Sequence, residues 1–143
     1  MDIVSVSRPL PHSLPAGGTA RLALFVVRRI GAHGLHDARA TQIMMQAFGT
    51  GFRRPLSLMR AMMADLAASA ATCLTIAPCC CARATDAERA LLLLLECAET
   101  RPARARLLLA DLLGNRSVDG ALASIAAVSA AFADLGHPIV LSD

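Results

Sequence analysis

The sequence has no tryptophan, no tyrosine and no lysine, and its four phenylalanines leave aromatics at 3% of 143 residues. Aliphatic side chains, chiefly Leu, Ala, Val, Ile and Met, must therefore supply the core, within a hydrophobic share of 55%. Sheet-rich folds draw on β-branched and aromatic residues, whereas Ala, Leu, Met and Arg favour helices, so the composition predicts an all-α chain. The missing aromatics also remove the stacking platform of a single-strand binder. The missing lysines thin out the cationic side chains that bind phosphate. Nucleic acid is disfavoured as a partner.

A long apolar run is lacking too, although mean hydropathy is high at +0.53. The longest uncharged segment, residues 66–82, is interrupted by Ser69, Thr72, Thr75 and Pro78, and a spanning helix needs about 20 predominantly apolar residues. An integral membrane protein is not expected. The opening "MDIVSVSRPLPHSLPAGG" has neither the basic start nor the apolar centre of a signal peptide, which predicts a cytoplasmic location. Five cysteines in such a chain argue against a disulfide framework, because the cytosol keeps thiols reduced.

Charge is present but uneven. The net charge of +3 divides into +6 over residues 1–83 and −3 over residues 84–143. Halves of opposite sign attract each other within one fold or across a contact between copies.

The length suits one domain, with residues 1–18 as a flexible arm and 19–143 as a helical body. Pro9, Pro11, Pro15 and Gly17-Gly18 oppose regular structure in the arm. From Thr19, Leu22, Phe25, Val26 and Ile30 follow a helical period, with Arg21, Arg28 and Arg29 assigned to the wet side. "HDARATQIMMQAF" predicts a second helix capped by His36 or Asp37. "RRPLSLMRAMMADLAASA" predicts a third, with Pro55 in its first turn. Residues 72–81, "TCLTIAPCCC", read as a buried strand-like or irregular connector, since Pro78 biases Ala77 away from helix. Thr85-Asp-Ala-Glu88 is a capping box ahead of five leucines, which predicts a central helix. Pro102 opens a fifth helix closed by Gly114, and "ALASIAAVSAAFADL" forms a sixth. Short links make the expected architecture a compact bundle of about six helices.

At "RLALFVVRRIGAHGLHDARA", "IAPCCCARATDAERALLLLLECAE" and "RLLLADLLG", covering most of residues 20–135, the chain resembles a family of small bacterial proteins of unknown function. The resemblance implies a whole-chain single domain and carries no activity, cofactor or catalytic residue.

Four sets of residues bear on chemistry. Cys79-Cys80-Cys81 lack the spacing that turns two sulfurs toward one zinc ion, and lie too far before Thr85 for a thioredoxin-type site. Free cysteine packs as a small hydrophobe, which is the expectation for these three, with redox sensing as the alternative. His33, His36 and Asp37 could meet a divalent zinc or iron with a nearby cysteine, but a cap and a glycine-flanked turn explain them as well. Arg28, Arg29, Arg53 and Arg54 are candidates for a basic face, against a reading as a solvated rim. The methionines Met44, Met45, Met59, Met62 and Met63 read as core rather than as a groove. No nucleophile elbow, phosphate loop or dinucleotide fingerprint occurs, so no catalytic residue is assigned and an enzyme is not favoured. The expectation is a non-enzymatic, homo-oligomeric interaction module without a cofactor. Its alternatives are a thiol- or metal-responsive switch at Cys79–Cys81 with His33 and His36, and a carrier of hydrophobic ligands.

Overall fold

The apolar periodicities become the inward faces of six helices in a computed structural model, which describes the backbone of residues 2–3 and all of residues 10–142. They are α1 (Gly18–His33), α2 (Ala38–Phe48), α3 (Arg53–Ser69), α4 (Asp86–Cys97), α5 (Pro102–Leu113) and α6 (Asp119–Asp134). Helix ends fall where local chemistry puts them. Asp37 caps α2, Thr85 and Glu88 form the capping box of α4, and Pro102 opens α5. Gly114 closes α5 at φ 63, a left-handed conformation that glycine adopts without a Cβ clash.

The core is aliphatic, as the scarcity of aromatics requires. Met44, Met59, Met62, Leu94, Leu95, Leu109, Leu113, Ile125, Val128 and Phe132 are all fully buried. Burial of one such large apolar side chain contributes about 1.5–3 kcal/mol. Only Met45, 49% exposed, leaves the methionine stripe for the surface. The most extensive helix contact joins α3 to α6, whose alanines and serines let the two axes approach closely. Phe132 of α6 meets Phe48 of α2 edge to face, ring centroids 5.0 Å apart. Of the five leucines in α4, Leu91, Leu92, Leu94 and Leu95 are buried, which makes that helix central as its sequence predicts.

Four two-residue strands fasten the arm to the connector. β1 (Asp2–Ile3) runs parallel to β3 (Thr75–Ile76), and β2 (His12–Ser13) runs antiparallel to β4 (Arg83–Ala84). Arg83 strengthens the second pairing: its Nε donates to Leu10 O at 2.6 Å and its Nη2 to Pro11 O at 3.1 Å. Ala16 and Gly17 N–H groups donate to Leu141 O, so the start of α1 lies against the segment that follows α6. A Cβ on Gly17 would stand 2.2 Å from Val140 O, so the approach needs glycine. Thus residues 10–17, read from sequence as irregular coil, lie hydrogen-bonded against the body, while Pro9 and the rest of 4–9 are outside the described residues.

The connector is buried at Leu74, Ile76 and Ala77. Among the described residues no helix is long and apolar enough to cross a membrane.

Candidate functional site

Arg28 stands one turn after Leu24 on the inward face of α1 and is only 2% exposed, contrary to its assignment to a basic face. Glu88, the third residue of α4, meets it and is fully buried. Arg28 Nε donates to Glu88 Oε2 at 2.7 Å and Nη2 to Oε1 at 3.0 Å, a bidentate pair. The remaining donors of Arg28 reach the backbone beyond: Nη1 to Cys81 O at 2.9 Å and Nη2 to Arg83 O at 2.8 Å. Glu88 in turn accepts from Thr85 N at 2.9 Å and from Ala77 N at 3.2 Å. Thr85 Oγ1 accepts from Glu88 N and donates to Thr75 O at 2.7 Å. Two charges thereby hold both ends of the segment that carries the thiols.

Between those ends the chain makes a tight turn. Cys81 N donates to Pro78 O at 3.1 Å, which closes a four-residue turn with Cys79 and Cys80 at its two corners. Corner side chains project away from the turn, and Cys79 and Cys80 are exposed while Cys81 is half-buried. The expectation that these thiols pack as small hydrophobes therefore fails for Cys79 and Cys80, while Cys81 is half-buried. The connector buries its aliphatic residues and turns its sulfurs outward. Outside the turn, Cys73 is exposed and Cys97 is half-buried.

Asp37 serves two partners. Its Oδ2 accepts from Ala40 N at 2.9 Å as the cap of α2, and Arg29 grips both carboxylate oxygens at 3.0 and 2.9 Å. The Arg29 hydrogen bonds hold the Asp37 carboxyl below its ordinary value of 3.8 in spite of burial, helped by the Ala40 N–H and by the charges of Arg29 and His33. Reciprocally, Arg29 is raised, first by Asp37 against burial and then by the Cys79 side chain, so guanidinium and thiol are neighbours. His33 ends α1 and His36 occupies the following turn, both exposed. Among the described residues no group of three His, Cys, Asp or Glu side chains is placed to hold a metal ion. Asp37, committed to a cap and a guanidinium, does not join His33, His36 and the cysteines in a zinc or iron shell.

The other arginines do not complete one basic face. Arg53 lies 6.0 Å from the Phe52 ring centroid, and Arg54 pairs with Asp134 at 3.1 Å on the surface. Arg28 leaves the set by burial, and Arg29 is matched by Asp37.

A cleft of about 450 Å³ opens between the arm, the connector, α4 and α5. Asp86, Asp111, Thr85 and Cys73 line it beside Leu10 and Leu108, a mixed surface rather than an apolar cavity. A smaller cleft of about 160 Å³ lies beside the turn, with Cys79 and Cys81 on one wall and Arg21, Arg28, Leu24 and Phe25 among the other residues.

The signal for the buried pair was present in the sequence, since Arg28 falls on the helical period of Leu24 and Val27, and Glu88 was legible as a capping residue. Nothing in the sequence joined two positions sixty apart.

These features define an all-helical domain that presents a thiol-bearing turn anchored on a buried ion pair. Residues 2–98 match DUF6628, a family of unknown function, and the chain belongs to it. The match contains the arm, α1, the connector and α4, whereas α5 and α6, with "RLLLADLLG", lie beyond it. Neither the curated proteins nor the solved structures gave a match.

Replacing a buried ion pair by apolar residues is often neutral or stabilising, but here the pair also satisfies the Cys81 and Arg83 carbonyls and the Ala77 and Thr85 N–H groups. The double variant Arg28→Met with Glu88→Leu therefore loses about 3 kcal/mol or more in urea unfolding, since the buried N–H groups of Ala77 and Thr85 are stranded at about 1–3 kcal/mol each and the part-buried carbonyls of Cys81 and Arg83 add to that. A double variant as stable as the parent would show that the anchor is dispensable.

A second expectation follows from Asp37. A carboxyl whose folded value is depressed contributes stability above its unfolded value and loses it as pH falls through the folded one. Asp37→Asn should lower the urea midpoint at about pH 7, and the gap from the parent should begin to narrow only as pH falls below the ordinary value of 3.8. A gap of constant size across that range would sink the assignment.

Proposed function

We propose that this protein is a non-enzymatic helical module of the cytoplasm whose working part is the thiol turn at Cys79, Cys80 and Cys81, a switch that changes state when a thiol reacts. One observation supports the reading above the others: the turn's backbone is held from within by Arg28 and Glu88 while Cys79 and Cys80 face solvent. Buried structural thiols are inert, whereas exposed thiols near cationic groups are the ones that oxidise.

The chemistry is self-contained given a peroxide. A thiol gives its proton to solvent, the thiolate attacks the peroxide, the O–O bond breaks, and hydroxide leaves and takes up a proton as water, so that the product is a sulfenic acid. A neighbouring thiol of the same turn then displaces that hydroxyl as a second water, forming a disulfide. Bridging adjacent or next-but-one residues strains such a bond and makes it easy to reduce with an external dithiol. The state of the turn would be read by another protein or by a second copy of this chain, in line with an interaction module.

Native thiol labelling tests this. Cys79 and Cys80 should react with iodoacetamide at rates within about tenfold of a free thiol, and a peroxide pulse should block them reversibly. Comparing Cys79→Ser, Cys80→Ser and Cys81→Ser assigns the reacting sulfurs. Labelling only after unfolding would overturn the proposal.

Self-association is a second reading, supported by the open, largely apolar groove of about 240 Å³ between α1 and α3, where Leu35 is 38% exposed beside Ile30, Met63 and Ala64. Light scattering at micromolar concentration should give a multiple of 14.9 kDa, and a monomer would overturn it.

A further inference from the structure

The cleft beside the turn is electrostatically one-sided. Glu88 is consumed by Arg28, and Asp37 by Arg29. Asp86, the acid nearest before Glu88 in sequence, pairs with His12 at 2.6 Å. The cations are less fully spent. Arg21, exposed on α1 and lining the cleft, uses its Nε on Pro15 O at 2.6 Å, and among the described residues no carboxylate pairs with it. A reagent entering the cleft thus meets the positive charge of Arg21 beside the apolar side chains of Leu24 and Phe25.

Of the three thiols, Cys79 alone is both exposed and on the cleft wall. Cys81 lines the cleft but is half-buried, and Cys80 lies outside its lining. About 160 Å³ is well below the size of a drug-sized pocket and suits one carboxylate-bearing end of a disulfide half, with the rest of the reagent left in solvent.

We infer that Cys79 is a site of mixed-disulfide formation with small disulfides that carry carboxylates, with Arg21 holding a carboxylate while the sulfur is attacked. The inference rests on the thiol-turn reading and names the class of reagent that the turn selects. The step balances without an outside electron donor. Cys79 loses its proton to solvent, and its thiolate attacks one sulfur of the incoming disulfide. The old S–S bond breaks as the new one forms, and the other half leaves as a thiolate with the electron pair. Arg21 makes no bond to sulfur and is a positioning residue.

The test uses the full chain, with initial rates from intact mass and the modified residue from peptide mapping. The probes are oxidised glutathione, which is anionic, 2-hydroxyethyl disulfide, which is neutral, and cystamine, which is cationic. Oxidised glutathione should modify Cys79 at least about fivefold faster than cystamine at low salt once each is scaled to its rate with a free cysteine peptide. The difference should fall within about twofold at roughly 0.5 M salt. Arg21→Gln should abolish the preference and Arg21→Lys should keep most of it, while Cys79→Ser removes the adduct. Equal scaled rates for the three probes, or an unchanged preference in a folded Arg21→Gln, would overturn this inference and leave the thiol turn standing. No reaction of residues 79–81 with any probe would overturn both. Where Arg21→Gln fails to fold, the salt dependence of the parent protein decides the question.

Discussion

Arg28 and Glu88 are two charges removed from water at one place, and much of the molecule is arranged around their need for partners. A buried charge is tolerated only when its hydrogen-bonding groups are met. Here each charge answers the other and then reaches for backbone: Arg28 for the carbonyls of Cys81 and Arg83, Glu88 for the N–H groups of Ala77 and Thr85. Through these bonds α1 and α4 hold the connector, and through β1 and β2 the connector holds the arm. Five leucines centre α4 in the core, but it is a single carboxylate at its first turn that fixes what crosses its end.

That division explains how a rigid segment can carry exposed thiols. Stiffness in a loop usually comes from packing its side chains inward, which would have hidden the sulfurs. In this protein the packing is left to Leu74, Ile76 and Ala77, and the remaining restraint is polar and acts on main-chain atoms. The four residues from Pro78 to Cys81 then add their own turn hydrogen bond to the hold of Arg28 on Cys81 O. The neighbouring Arg29–Asp37 pair closes the side of α1 nearest Cys79, and also fixes the start of α2.

Local chemistry made much of this fold legible. Six helices, the capping box at Thr85, the proline at the start of α5 and the closing glycine of α5 depend on neighbours within a few residues, and sequence reading placed them correctly. The same reading put Arg28 on the wet side of α1, because charge was weighed without the distant partner that neutralises it. It read the arm as coil, mobile or draped over the body, and residues 10–17 are mostly irregular and lie against the body; only the two-residue strand His12–Ser13, too short to show an alternation, went unread. It expected packed cysteines from the average behaviour of that residue type, whereas a turn hydrogen bond governs the outcome at Cys79 and Cys80. What was missed is mostly long-range: the ion pair, the bridging strands and the cleft with Arg21 join segments that only the folded chain brings together.

The anchor recognises carbonyl oxygens, and every residue offers the same carbonyl. The helices therefore place few demands on which side chains occupy positions 79 and 80. In engineering terms the turn is an exchangeable cassette on a fixed mount, whose occupants can be rewritten for reactivity, charge or recognition while the frame beneath keeps its shape.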